Sequence, residues 1–339
     1  MKKNILITGG AGFIGSNYLN YKSELGSGVN LINLDKLTYA ANTRNIDIKE
    51  SDNNYTFIKG DICNIRTIQD IFSKYNINMV VHFAAESHVD NSISNPGTFI
   101  DTNIVGTFNL LQSAYKNWME APNKFKKGFE EARFLHVSTD EVYGTLGKTG
   151  LFTEETSYAP NSPYSASKAS SDMLVRSYFH TYGLPVITTN CSNNYGPRQH
   201  DEKLIPTIIR KALKGDDIPI YGDGKNIRDW LYVLDHCKGI DLVLQKGRLG
   251  ETYNIGGKNE RENLYIANTI CEILDKIKPR SNKASYKQLI RFVTDRPGHD
   301  FRYAIDASKI ENELGWKAEE NFESGIEKTI HWYLEKYKN

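Results

Sequence analysis

Short apolar runs and polar intervals alternate along the first 190 residues with the rhythm of a parallel sheet. Lys3-Asn-Ile-Leu-Ile7, Val29-Asn-Leu-Ile-Asn-Leu34, Tyr55-Thr-Phe-Ile58, Met79-Val-Val-His-Phe83, Phe134-Leu-His-Val137 and Pro185-Val-Ile-Thr-Thr189 each read as a buried strand. Helical segments fill the intervals, the long candidates being Asn103 to Tyr115 and Tyr164 to Tyr182. Strand and helix in alternation predict an α/β fold, a doubly wound parallel sheet with helices on both faces. After about residue 190 the rhythm loosens, with turns at Tyr195-Gly-Pro, Tyr221-Gly-Asp-Gly, Gly256-Gly and Arg296-Pro-Gly. We therefore expect residues 1–190 to form the main part of the sheet domain. Residues 191–339 then form a smaller mixed α/β lobe, with some segments returning to the first domain. A final helix over Asn321 to Tyr337 places Phe322, Ile326, Ile330 and Tyr333 in one core-facing stripe. Trp118 to Glu131, polar and Lys-rich, reads as a solvated surface excursion.

The first strand runs without a gap into Thr8-Gly-Gly-Ala-Gly-Phe-Ile-Gly15. Gly10, Gly12 and Gly15 fit G-x-G-x-x-G, while Gly9, Gly12 and Gly15 fit G-x-x-G-x-x-G. In either reading the missing side chains let the backbone turn sharply and approach a pyrophosphate, whose charge meets the amino end of a helix starting near Phe13. Context strengthens the motif, because the second strand ends at Asp35, 20 residues beyond Gly15. A carboxylate there accepts hydrogen bonds from both adenosine ribose hydroxyls and repels a 2′-phosphate, which selects NAD over NADP. The first domain thus reads as an NAD-binding Rossmann domain. Gly60-Asp61-Ile62 and Ala84-Ala-Glu-Ser-His88 follow two other strands, at the edge where such sheets bind ligands. Asp61 is placed to meet adenine, and the small Ala84 and Ala85 let a cofactor pass closely.

Totals narrow the classes. Lys plus Arg number 42 against 41 Asp plus Glu, a formal charge of +1, so no global field draws the chain to nucleic acid or a membrane. The expected ligand is small. No stretch approaches 18 apolar residues, which predicts a soluble cytoplasmic protein. Cys63, Cys191, Cys237 and Cys271 are scattered and form no C-x-x-C, as expected of reduced thiols. His82, His88 and His299 form no compact metal motif, and no metal is expected.

The chemistry concentrates in two places. Asn161-Ser-Pro-Tyr-Ser-Ala-Ser-Lys168 puts Tyr164 and Lys168 four residues apart, on one helix face, where an ammonium can favour a phenolate. Such a Tyr takes a proton from an alcohol. Taken alone, the pair also describes an ordinary helix opening after Pro163. Upstream, Arg133-Phe-Leu-His-Val-Ser-Thr-Asp-Glu-Val-Tyr143 carries the adjacent acids Asp140 and Glu141. In a regular strand they would face opposite sides, so the run must bend or end there if both serve one substrate.

With these residues the chain resembles the extended short-chain dehydrogenase/reductase family, which acts on nucleotide sugars. Further segments resemble its 4,6-dehydratase branch: Asp35-Lys-Leu-Thr-Tyr-Ala40, Ala84-Ala-Glu-Ser-His-Val-Asp90, Ser138-Thr-Asp-Glu-Val-Tyr-Gly144, Asn190-Cys-Ser-Asn-Asn-Tyr-Gly-Pro197, Lys203-Leu-Ile-Pro206, Arg228-Asp-Trp-Leu-Tyr-Val233 and Asp295-Arg-Pro-Gly-His-Asp300. The match spans nearly the whole chain, and Thr-Asp-Glu is its most specific part. By resemblance, 4-epimerases lack that Asp-Glu pair.

The resemblance implies the following roles. Tyr164 is the base at the sugar C4 hydroxyl, Lys168 steadies its phenolate, and Thr139 hydrogen-bonds the C4 oxygen. Glu141 removes the C5 proton and Asp140 protonates the departing C6 oxygen, so Asp140 must keep a proton at neutral pH through burial and its acidic neighbour. NAD contacts are expected from Gly9, Gly12, Phe13, Ile14, Gly15, Asp35, Lys36, Leu37, Thr38, Asp61, Ile62, Ala84, Ala85, Ser87, Thr102, Tyr164, Lys168 and Asn194. The nucleotide sugar, dTDP-glucose before UDP-glucose, is expected at Ser87, His88, Thr139, Asn193, Lys203, Leu204, Pro219, Tyr221, Arg228, Asn263, Arg296 and His299. Arg228 and Arg296 suit the diphosphate. The helices near 103–115 and 164–182 are expected to pair across a homodimer axis.

Overall fold

The computed structural model describes residues 3–26, 28–49, 52–295 and 297–338. At its centre a seven-stranded sheet runs in the order Thr252–Ile255, Val186–Cys191, Arg133–Thr139, Met79–His82, Asn4–Thr8, Asn30–Asp35 and Tyr55–Lys59. Every neighbouring pair is parallel. All six expected strands are present, and helices separate them. The strand Thr252–Ile255 was not expected: four residues between turns carry too little periodicity to announce a strand. It brings the last third of the chain back to the first domain. Helix Val233–Lys246 returns as well, where Asp241 meets Tyr18 Oη at 3.0 Å and Lys22 Nζ at 2.8 Å from helix Phe13–Glu24.

Side-chain alternation sorts the sheet's two faces. Ile5, Ile7, Val81 and Leu135 pack on one side with Tyr18, Leu19, Ile240 and Val243. Leu6, Val80, Phe134 and Val186 pack on the other with Ile68, Phe72, Leu111 and Trp118. A third core belongs to the C-terminal lobe, where Ile205, Ile209, Ile266 and Ile270 meet Phe322, Ile326, Ile330 and Tyr333 of helix Phe322–Lys336. The predicted terminal stripe is therefore buried.

Two expectations need correction. Trp118 is fully buried and its indole N–H donates to the Ile77 carbonyl at 2.7 Å, so the polar segment beginning there is anchored in the core. Past it, Met119–Ala121 and Lys124–Phe125 form a small antiparallel hairpin. The helix expected over Asn103 to Tyr115 is Thr107–Trp118, entered through a wide π-type turn, Ile100–Gly106. That wide turn directs Asn103 inward. Its side-chain amide accepts from Glu86 N at 2.9 Å and donates to Ser167 Oγ at 2.8 Å, tying the Ala84–His88 segment to the helix Pro163–Tyr182.

Candidate active site

The strand order reverses beside Asn4–Thr8, and a cleft of about 310 Å³ opens there at the carboxyl ends of the strands. Its first wall is the glycine turn. Gly9 has φ +74°, and a Cβ on it would lie 2.6 Å from the Ala84 amide nitrogen. A Cβ on Gly15 would lie 2.3 Å from the Gly9 carbonyl oxygen. Gly12 caps helix Phe13–Glu24 without a side-chain bond, and the first turn carries no acid, so the amide-rich helix end is open to an anion.

Asp35 closes the next strand. Its two oxygens accept from Ala11 N at 2.9 Å and Leu37 N at 2.7 Å. Burial pushes its carboxyl upward while those two amides pull it down. Asp61 pairs with Lys36 at 2.7 Å. Although burial acts upward on Asp61, the hydrogen bonds from Lys36 and Cys63 hold it below the ordinary carboxylate range. Gly9, Gly12, Phe13, Ile14, Gly15, Asp35, Lys36, Thr38, Asp61, Ile62, Ala84, Ala85, Ser87, Thr102 and Asn194 all line the cleft, a wall able to hold a dinucleotide from pyrophosphate to adenine. Leu37 does not line it and serves through its amide to Asp35.

At the other end stand the acids. Strand Arg133–Thr139 stops at Thr139, and Asp140–Tyr143 turns immediately into one 3-10 turn. Thr139 Oγ1 accepts the Glu141 amide at 3.3 Å and so caps that turn. The run thus ends at the acids, as the chemistry requires. Asp140 is 1% exposed, and its carboxyl is raised well above the usual range by burial first, then by Glu141 and Asp229, against Arg228. Its Oδ1 meets Thr139 Oγ1 at 3.4 Å, and its Oδ2 is buried without a partner among the described residues. A neutral carboxyl tolerates that site far better than an anion does.

Tyr164 and Lys168 face this corner from helix Pro163–Tyr182, which begins with a Ser162–Ser165 capping box and Pro163. Lys168 Nζ donates to the Val137 carbonyl at 2.9 Å. In the free protein Tyr164 is raised well above its ordinary value, by burial first and then by Glu141 and Cys191, while the hydrogen bond with Thr139 acts downward. Burial also lowers Lys168, against the pull of Asp172. In the free protein burial therefore acts on Tyr164 against the expected preference for phenolate.

The substrate half is less complete. Ser87, Thr139, Asn193 and Lys203 line the cleft, with Lys203 Nζ donating to the Ser87 carbonyl at 2.9 Å. His88, Leu204, Pro219, Tyr221, Arg228, Asn263 and His299 do not. His88 caps the short helix Val89–Ser94, and Leu204 and Asn263 each begin a helix. Pro219 and Tyr221 lie on strand Ile218–Tyr221, which pairs with Ile290–Val293 in the second lobe. The Arg228 guanidinium donates to the carbonyls of Ile227, Asp300 and Phe301 and stacks 4.2 Å from the Tyr303 ring centre. His299 Nδ1 sits 2.6 Å from Asp295. Arg296 lies outside the described residues.

Several lining residues had no local signal that singled them out, among them Gln199, His200 and Glu202. Glu86 and Cys191 also line the cleft, and each lies in a segment at the carboxyl end of a strand, which could have nominated it. Among the described residues no group of three or more His, Cys, Asp or Glu could hold a metal ion, and no helix is long and apolar enough to cross a membrane.

Residues 6–329 match the family described as GDP-mannose 4,6 dehydratase. A dTDP-glucose 4,6-dehydratase from Xanthomonas campestris pv. campestris (strain B100) is 55% identical over 329 residues, covering 97% of this chain and 92% of that protein. The crystal structure of a dTDP-glucose 4,6-dehydratase from Bacillus anthracis str. Ames in complex with NAD superposes with a TM-score of 0.86 at 46% identity, covering 99% of this chain and 98% of that one. The dTDP-glucose 4,6-dehydratase of Streptomyces venezuelae, solved with NAD and a further ligand bound, gives a TM-score of 0.87 at 42% identity and the same coverage.

Proposed function

The chain belongs to the family described as GDP-mannose 4,6 dehydratase, and from that premise we propose that it is an NAD-dependent dTDP-glucose 4,6-dehydratase, a hydro-lyase yielding the 4-keto-6-deoxy sugar nucleotide. The observation that carries the reading is the buried Asp140 beside Glu141, at the strand end faced by Tyr164 and Lys168. The glycine turn, the open helix end and Asp35 fit NAD. When bound, NAD supplies the acceptor for the C4 hydride and returns that hydride at C6.

The chain's own groups handle the protons. Tyr164 takes the C4 hydroxyl proton once it is ionised, with Lys168 steadying the phenolate and Thr139 bonding the C4 oxygen. The hydrogen on C5 is barely acidic until C4 is a ketone, so Glu141 can remove it only after oxidation. Asp140 then gives its proton to the C6 oxygen, which leaves as water. Glu141 returns a proton to C5. Each turnover leaves Tyr164 one proton richer and Asp140 one poorer, so that proton must be exchanged before the next. A 4-epimerase has no water to expel and no use for a carboxyl kept neutral at this corner.

Asn193 and Lys203, which line the cleft, support a nucleotide-binding role for that wall. Helices Thr107–Trp118 and Pro163–Tyr182 pack together through Tyr178 Oη and Gln112 Oε1 at 2.9 Å. Ile100, Val105 and Phe108 on the first helix and its entry turn, and Met173 on the second, are 42–52% exposed, which supports a homodimer formed through this surface. Four free cysteines suit a reducing cytoplasm.

Incubation with dTDP-glucose in deuterated water tests the assignment. Water loss with deuterium at C5 supports the dehydratase; a 4-epimer without water loss would replace it by an epimerase. UDP-glucose run in parallel shows which base is preferred.

A further inference from the structure

Behind the catalytic pair, on the side away from the cleft, lies an acid that the chemistry above leaves unused. Asp172 follows Lys168 by one helical turn and shares its face. It is 4% exposed, yet three donors reach it. His136 Nε2 lies 3.0 Å from Oδ1, and Ser138 Oγ and Tyr158 Oη lie 2.8 Å and 3.0 Å from Oδ2.

The electrostatics run through Lys168. Burial pushes Asp172 up to about 7, against the downward pull of Lys168, Ser138 and Tyr158. Burial drives Lys168 down, and Asp172 is the strongest influence keeping it charged, ahead of Cys191. Tyr164, Lys168 and Asp172 follow one another at four-residue spacing on the same helix, so Lys168 stands between the acid and the tyrosine. His136 is buried and held well below its ordinary value, so it faces Asp172 as a neutral donor.

A sealed structural acid would end there, but Asp172 also borders a second cavity of about 350 Å³. Glu154, Glu155, Arg176, Glu251 and Lys309 line it together with His180, and Lys309 pairs with Glu251 at 2.7 Å. A polar chamber of that size holds water.

We propose that Asp172 is a positioning residue for the catalytic pair: its carboxylate keeps Lys168 charged from behind the cleft, and the chamber keeps that carboxylate in exchange with solvent protons. The proposal rests on the reading of Tyr164 and Lys168 as the acid-base pair, and is independent of which nucleotide sugar is consumed.

The test is an ultraviolet difference titration of Tyr164 in NAD-loaded protein, each form measured against its Tyr164→Phe counterpart, with Asp172→Asn, Asp172→Glu and Ser138→Ala compared. Asp172→Asn is expected to move the tyrosine titration upward by about one unit, a tenfold loss of phenolate. The acid limb of kcat should follow by the same factor with KM within about twofold, and Asp172→Glu should restore most of both. Ser138→Ala removes one of the donors that lower Asp172, and should leave the tyrosine titration in place while moving the acid limb of kcat to higher pH, because Asp172 then gains its proton earlier as the pH falls. An unchanged tyrosine titration in folded Asp172→Asn overturns the proposal; if that variant does not fold, an unchanged acid limb of kcat in Ser138→Ala does. Failure of the wild-type protein to turn over dTDP-glucose would instead overturn the dehydratase reading, while the titration, which needs no substrate, still decides the role of Asp172.

Discussion

Thr139 Oγ1 lies 3.4 Å from Asp140 Oδ1 and accepts the Glu141 amide at 3.3 Å, so one hydroxyl at a strand end holds both acids in place. Asp140 is buried by this turn and Glu141 is left half-buried. Adjacent carboxyls in unlike surroundings are the usual way to obtain an acid and a base from the same residue type.

Asp140→Asn should leave C4 oxidation possible and remove the proton donor for C6. We expect kcat to fall by about 10²–10⁴. Reduced nicotinamide should accumulate on mixing with dTDP-glucose, followed by its absorbance; a fall in kcat without that accumulation would place the defect before elimination.

Glu141→Gln should lose a comparable factor for a different reason, because the C5 hydrogen no longer has a base. Deuterium entry at C5, read by NMR, should disappear. Persistent exchange in this variant would assign the base elsewhere.

The Asp140 carboxyl is raised in the folded state by burial, Glu141 and Asp229. The sign follows from linkage: its protonated form favours folding below the unfolded carboxyl value, and that contribution is lost as pH rises through the raised folded value. Asp140→Asn, which cannot ionise, should therefore have a higher Tm than the wild type near pH 8, and the difference should shrink toward pH 4. Thermal melts at the two pH values check it.

Gly15→Ala places a methyl 2.3 Å from the Gly9 carbonyl oxygen, in a turn where both partners are backbone. The turn must open, and co-purified NAD should fall at least tenfold. Cofactor content measured after denaturation decides the point, and full retention would remove the glycine turn from the cofactor site.

Trp118→Ala deletes a fully buried ring and its bond to the Ile77 carbonyl. A loss of about 3–5 kcal/mol is expected. Denaturant unfolding measures it, and a loss below about 1 kcal/mol would restore the picture of a solvated segment.

The parts of the site legible in the sequence are those written in neighbouring residues. Gly9 to Gly15 followed by Asp35 lie on one strand, turn, helix and strand unit, and Tyr164 and Lys168 are one helical turn apart. Period two and period 3.6 announce such groups directly. Even the bend at Asp140 was required by alternation, since two consecutive strand residues cannot face one substrate.

What local pattern could not contain are encounters between distant segments. Asp229 and Arg228 act on Asp140 from a strand of the other lobe, and together with burial they decide how firmly that carboxyl holds its proton. The strand Thr252–Ile255 completes the sheet from residues far down the chain, and the buried Trp118 meets Ile77 in the connection that leads into strand Met79–His82. Local pattern was enough to nominate the candidate groups and to place them on their strands, turns and helices. Tertiary structure alone decided which of them are desolvated and charged, because burial and field depend on everything within a few ångströms, whatever its distance along the chain.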